Sequence, residues 1–158
     1  MSEEKTQGLS KILERGQRAA QRLAPATDKL TETIAQIERS LSEQRLGSRG
    51  SVLLSSQDIL DDDENYRGTE ITNLAFRKVG KVWRLMIDSG PNDEPEHWSS
   101  IPLINASREL RVLAVDRLPE LVEELVADAE KRIAEVEAKQ ATADALLATL
   151  KRRAGGTP

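Results

Sequence analysis

Two stretches of this chain, one at each end, place an apolar or small residue at every third or fourth position. In the first, Leu9, Leu13, Gly16, Ala20, Leu23, Thr27, Leu30, Ile34, Ile37 and Leu41 alternate four and three residues apart. In the second, Val122, Val126, Ala129, Ile133, Val136, Gln140, Ala143, Leu147 and Leu150 do the same. That alternation is a heptad, and it draws an apolar seam along one edge of an α-helix. A seam of this kind has to be covered, so the two ends are read as long helical arms seeking partners.

The boundaries of the arms follow from local chemistry. A first helix from about Leu9 to Leu46 would be about 57 Å long at 1.5 Å per residue. Pro25 removes a backbone donor and crowds the preceding turn, so a kink or a break is expected near Ala24, with Thr27 or Asp28 able to cap a restart. The seam holds its register across Pro25, which favours the kink. Gly47 and Gly50 lie just past the last apolar residue and end the arm. Upstream of the second seam, Ser107 can cap a helix carrying Leu110, Leu113 and Ala114, and Pro119 marks a second kink or a fresh first turn. Ala154 to Pro158 reads as a stop followed by fraying.

The middle is chemically different. It holds every aromatic side chain, Tyr66, Phe76, Trp83 and Trp98, together with the single histidine, His97. Leu74 to Ile87 reads as a β-hairpin turning at Gly80-Lys81, which sets Leu74 opposite Ile87, Phe76 opposite Leu85 and Lys78 opposite Trp83 on one core-facing side. The reverse side, with Ala75, Arg77, Arg84 and Met86, is expected to be wet. Val52 to Leu54 and Trp98 to Ile104 are further strand candidates, the latter confined to an edge by Pro102. Ser89 to Pro95 reads as a loop.

The fold class expected is α+β, mainly α: a long antiparallel coiled-coil helical hairpin with a small antiparallel β head inserted between the arms. All 158 residues form one domain, with an N-terminal arm at 8–46, a head at 50–104, a C-terminal arm at 107–153 and a frayed tail at 154–158. Folding back would bring Leu9 near Leu150 and Leu41 near Pro119; the alternative is that each arm pairs with another chain. Apolar residues widen beyond a two-helix seam at Leu118, Leu121, Leu125, Leu146 and Ile12. These five are candidates for a homodimer interface, unless the head folds over them. The order helix, β-hairpin insert, helix is similar in architecture to prefoldin subunits, which bear coiled-coil arms on a β base. That likeness transfers no residue roles and no chaperone activity.

Composition excludes several functions. With no cysteine, the chain has neither disulfides nor thiolate ligands or nucleophiles. No apolar run approaches the roughly 20 residues of a membrane span, and Met1 to Ser10 lacks the apolar core of an export signal, so a cytoplasmic protein is expected. The acidic run Asp58, Asp61, Asp62, Asp63, Glu64 and Asn65 fails as a calcium loop, because Tyr66 stands where the turn glycine belongs and Thr72 where the bidentate glutamate belongs. Glu123, Glu130, Glu137 and Asp144 form an acidic stripe beside the second seam, either simply wet or awaiting a partner chain. His97 sits in an acidic loop with no catalytic motif around it, so no enzyme, metal or cofactor is expected.

Two surfaces remain as binding candidates. Lys11, Arg15, Arg18 and Arg22 form a stripe on the outer face of the first helix. In the antiparallel hairpin, Lys151, Arg152 and Arg153 would join them at one open end, where nucleic-acid phosphates or an acidic protein could bind. The blander alternative is a solvated helix face. Trp83, Trp98 and Tyr66 are the aromatic candidates in the head, the tryptophans serving as core anchors unless exposed. The reading these features favour is a non-enzymatic interaction protein of scaffold, adaptor or small-inhibitor type. It would be a homodimer through its arms that meets a protein partner through its acidic, aromatic head. A nucleic-acid-associated protein using the basic end is the alternative.

Overall fold

The computed structural model describes residues 2–156. In chain order it has α1 (Ser2–Glu43), β1 (Gly50–Leu60), β2 (Tyr66–Val79), β3 (Val82–Pro91), β4 (Ser99–Pro102) and α2 (Arg108–Gly155), with single 3-10 turns at Pro95–His97 and Leu103–Asn105. The class is α+β, mainly α, with a four-stranded antiparallel sheet of order β1-β2-β3-β4 inserted between two long helices. Thr157 and Pro158, the end of the tail expected to fray, lie outside the described residues, and Ala154 and Gly155 belong to α2.

Both helices run through their prolines without a break. The Thr27 hydroxyl donates to the Leu23 carbonyl at 2.8 Å inside α1, so it does not cap a second helix. At the other junction the Ser107 side chain accepts the Leu110 N–H at 3.3 Å, an N-cap that lets α2 start directly after β4 and its 3-10 turn. The turn between β2 and β3 is the expected one. Gly80 takes φ of +63°, a left-handed value that glycine adopts without cost, and Val79 pairs with Val82. Leu74–Ile87, Phe76–Leu85 and Lys78–Trp83 are paired as the alternation implies. The sheet is longer than the apolar pattern suggests. Strand β1 extends to Leu60, β2 begins at Tyr66, and Ser89 to Pro91 belong to β3.

One face of the sheet builds the core. Val52, Leu74, Phe76, Leu85 and Ile87 pack with Ile34 and Leu41 of α1, Leu103 and Ala106, and Ala114, Leu118, Leu121 and Leu125 of α2. Helix α2 lies against β1 and β2, and α1 against β3. Each large aliphatic side chain taken out of water here contributes about 1.5–3 kcal/mol.

The reverse face is not wet in the way its composition suggests, since Ala75 and Met86 are buried there. The Arg77 guanidinium bonds bidentately to Asp88 at 2.9 and 3.3 Å and also reaches Ser100. Because Asp88 stands opposite Asn73, four residues back along β2, the Arg77 side chain has to run past Ala75 to reach it. Its aliphatic stem and the ion pair therefore roof this face.

The two helices are not an antiparallel hairpin. The Arg111 guanidinium of α2 donates to the Thr31 hydroxyl of α1, and Arg132 of α2 donates to the Gly47 carbonyl just beyond the end of α1. Both contacts pair a residue of the first segment with one 80 to 85 positions later, so both residue numbers rise in the same direction. Within the head the helices thus run parallel. The N-terminal half of α1 leaves the sheet at one end and the C-terminal half of α2 leaves at the other. Leu9 and Leu150 lie on opposite sides of the head, although Leu41 does join the stretch of α2 just past Pro119 in the core. A hairpin was expected because heptads fit either sense equally well, whereas the four-stranded insert here carries the chain back to the start of α1's packed half before α2 begins.

Candidate functional site

Outside the head, both arms are bare. Residues 2–26 and 130–156 are exposed throughout, and a Cβ built on Gly16, in the middle of the first seam, would have open space around it. Nine large aliphatic side chains, Leu9, Ile12, Leu13, Leu23, Ile133, Val136, Leu146, Leu147 and Leu150, are between 47% and 67% exposed. At about 1.5–3 kcal/mol for each one fully buried, this much uncovered seam is a large reservoir for association.

The seam on α2 begins earlier than the sequence pattern alone revealed. Val112, Val115 and Val126 are exposed and share the three-four spacing with Ile133 and Val136 beyond them, so the stripe runs from Val112 to Leu150 through Pro119. It stands one residue, or about 100°, round the helix from the core stripe of Ala114, Leu118, Leu121 and Leu125. Leu118, Leu121 and Leu125 are not available to a second chain, because the sheet covers them; Leu121 and Leu125 are fully buried. The extra apolar breadth at these positions therefore reflects two adjacent stripes, one spent on the head and one left open except at Val122, which packs against the core. Leu146 and Ile12 remain exposed, on opposite arms. Where the α2 seam leaves the head, an open groove of about 540 Å³ is lined by Leu46, Ala129, Arg132, Ile133, Val136 and Glu137.

The basic residues do not gather. Lys11, Arg15, Arg18 and Arg22 stand on the exposed arm of α1, while Lys151, Arg152 and Arg153 stand at the far end of α2 on the other side of the head. The single cationic end expected from a hairpin is therefore split in two by the parallel course of the helices. The acidic stripe Glu123, Glu130, Glu137 and Asp144 is exposed along α2.

In the head, two of the three aromatic candidates are structural. Trp83 stacks on Phe76 with ring centroids 5.5 Å apart. Trp98 donates from Nε1 to the Pro91 carbonyl at 2.7 Å and lies over Gly90, where a Cβ would come within 2.6 Å of its ring. Tyr66 is different, being 62% exposed and paired across the β1–β2 ribbon with the exposed Leu60. Leu53 and Ile59 are also exposed on this ribbon. The acidic turn beside it is held from within. Asp61 accepts the N–H groups of Asp63 and Asn65 at 2.9 Å each and pairs with Arg67, and these bonds, that of Asn65 foremost, hold its carboxyl below the ordinary aspartate range. His97 stands exposed with Glu94 at 3.6 Å and Glu96 at 4.0 Å. Among the described residues no group of three or more His, Cys, Asp or Glu side chains is arranged to hold a metal ion, and no helix is long and apolar enough to cross a membrane.

Comparison of the chain with family models, with curated proteins and with solved structures finds no match.

Proposed function

We propose that this protein is a non-enzymatic interaction protein, of scaffold, adaptor or small-inhibitor type, that self-associates through its helical arms and presents its head to another protein. The observation that carries this reading is the pair of uncovered heptad seams, which extend in opposite directions from one packed head. In proteins most helical stability comes from packing an amphipathic face rather than from intrinsic propensity. Arms of about 25 residues, each bearing large aliphatic side chains at seam positions, call for a second helix. The head offers a partner the exposed Leu60 and Tyr66 at the tip of the ribbon, flanked by Asp62, Asp63 and Glu64.

Sedimentation of the full chain over a concentration series tests the first half of the proposal. Assembly to at least twice the 17.5 kDa chain mass at micromolar protein is expected, and a monomer at every concentration overturns it.

A further inference from the structure

We infer that a second copy of this chain covers the α2 seam, as a parallel, in-register two-stranded coiled coil running outward from the head. The inference rests on the self-association reading above and specifies which arm pairs, with what, and in which sense.

Seam residues set the heptad. Counting Val126, Ile133, Gln140 and Leu147 as a positions makes Ala129, Val136, Ala143 and Leu150 the d positions. Val126 and Ile133 put β-branched side chains at two of the four a positions, and a single polar a layer in such a seam fixes the register of a parallel dimer. Gln140 is that layer; in the single chain its amide has only Asp144, at 2.9 Å on the same helix.

Charge decides the sense. The acidic stripe Glu130, Glu137 and Asp144 falls on e, while Arg132 and Lys139 fall on g. In a parallel pair, g of one helix meets e of the next heptad on the other, so Lys139 faces Asp144 of the second copy and Arg132, which in the single chain also holds the Gly47 carbonyl and Asp128, faces Glu137, twice each about the two-fold. In an antiparallel α2 pair centred on the same seam, e meets e and g meets g. With the a and d layers matched about the middle of the Val126–Leu150 seam, Glu137 would confront its own copy, Glu130 would confront Asp144, and Lys139 would confront its own copy. The arm of α1 offers no better match, because its positions flanking the seam, among them Ser10, Gln17 and Ala24, carry no cations. The acidic stripe thus finds its counter-charges only on a second α2 laid parallel to the first.

The head leaves room for this. Beyond Ala129 the described α2 is exposed on all sides. Two copies can join there with their heads on either side of the base of the stalk, and the groove between Leu46 and Ile133 lies open at that base.

The natural chain has no cysteine, so a single introduced thiol reports the arrangement. Ala143→Cys places it in a d layer and Ala141→Cys, as control, on the outer face. Under mild oxidation of the full chain, Ala143→Cys is expected to give a symmetric 143–143 disulfide dimer and Ala141→Cys to stay largely monomeric on a denaturing gel. Lys139→Glu is expected to weaken dimerisation about tenfold, since two exposed pairs turn repulsive, and Lys139→Glu with Asp144→Lys to recover it. Sedimentation showing a dimer with no 143–143 bridge and no charge rescue overturns the parallel α2 stalk while leaving self-association standing. A monomer in every experiment overturns both.

Discussion

The Glu38 carboxylate on α1 accepts the backbone N–H of Leu85 on β3 at 2.8 Å. Strand β4 covers β3 only from Met86 to Ser89, so Leu85 is the first residue past the end of that ladder, and a helix side chain takes over as its acceptor. Leu85 itself is fully buried, which makes its amide costly to leave unpaired. Glu38→Ala is therefore expected to lower unfolding free energy by about 1–3 kcal/mol, while Glu38→Gln, which keeps an acceptor oxygen, loses less. Urea denaturation measures both; equal losses would show that the amide bond is not what Glu38 contributes.

Gly90 is the position where the head tolerates least. A Cβ there would stand 2.6 Å from Trp98 Cδ1, 2.7 Å from Cγ and 2.9 Å from the Trp98 Cα, so moving the ring alone cannot relieve it. Gly90→Ala is expected to cost about 1–3 kcal/mol as an overpacking change and to break the indole bond to the Pro91 carbonyl. Thermal unfolding, with Trp98 emission read in a Trp83→Phe background, checks it. Unchanged stability and emission would remove Trp98 from its assigned role as the clamp of this sheet edge.

The parts of this structure visible in the sequence are those written in short-range pattern. Heptads gave the two helices, Gly80-Lys81 gave the hairpin and its register, Ser107 gave the cap, and Pro102 gave the edge strand. The outer half of the β1–β2 ribbon stayed hidden because Ser55 to Leu60 face solvent on both sides and carry no period-two signal. The relative sense of the helices was hidden for a different reason. A seam looks alike read in either direction, and only contacts between distant residues, such as Thr31 with Arg111, choose between the two. The candidate interface at Leu118, Leu121 and Leu125 was misplaced because two stripes one residue apart look like a single broad one until the sheet is seen to occupy its half.

The acidic turn carries a pH prediction. Hydrogen bonds from Asn65, Asp63 and Arg67 favour the ionised Asp61 carboxylate, so its folded pKa lies below the ordinary 3.8. A depressed carboxylate contributes stability that is fully present above its unfolded value and is lost as pH falls through the folded one. The contribution of this turn should hold at neutral and mildly acidic pH and disappear only below about 3.8. An NMR titration of the Asp61 carboxyl is expected to show a midpoint under that value, shifted upward in Arg67→Ala. A midpoint at or above 3.8 in the natural chain would mean the turn does not hold the charge.

Leu121 and Leu147 separate the two uses of α2. Leu121 is fully buried against the sheet, and Leu147 is 51% exposed on the open seam. Truncating Leu121 to alanine deletes packed methyl groups in a site the sheet and helix cannot close completely, and is expected to cost about 2–5 kcal/mol of folding stability at any protein concentration. Truncating Leu147 removes nothing from the head. At concentrations where the chain is a monomer it should change stability by no more than about 0.5 kcal/mol, yet it should weaken association, because its partner is another chain. The diagnostic is therefore concentration dependence: the melting temperature of Leu147→Ala should approach that of the natural chain on dilution, whereas the deficit of Leu121→Ala should persist. If instead both variants lose stability equally in dilute solution, the outer half of α2 is packed within its own chain and the open seam does not exist.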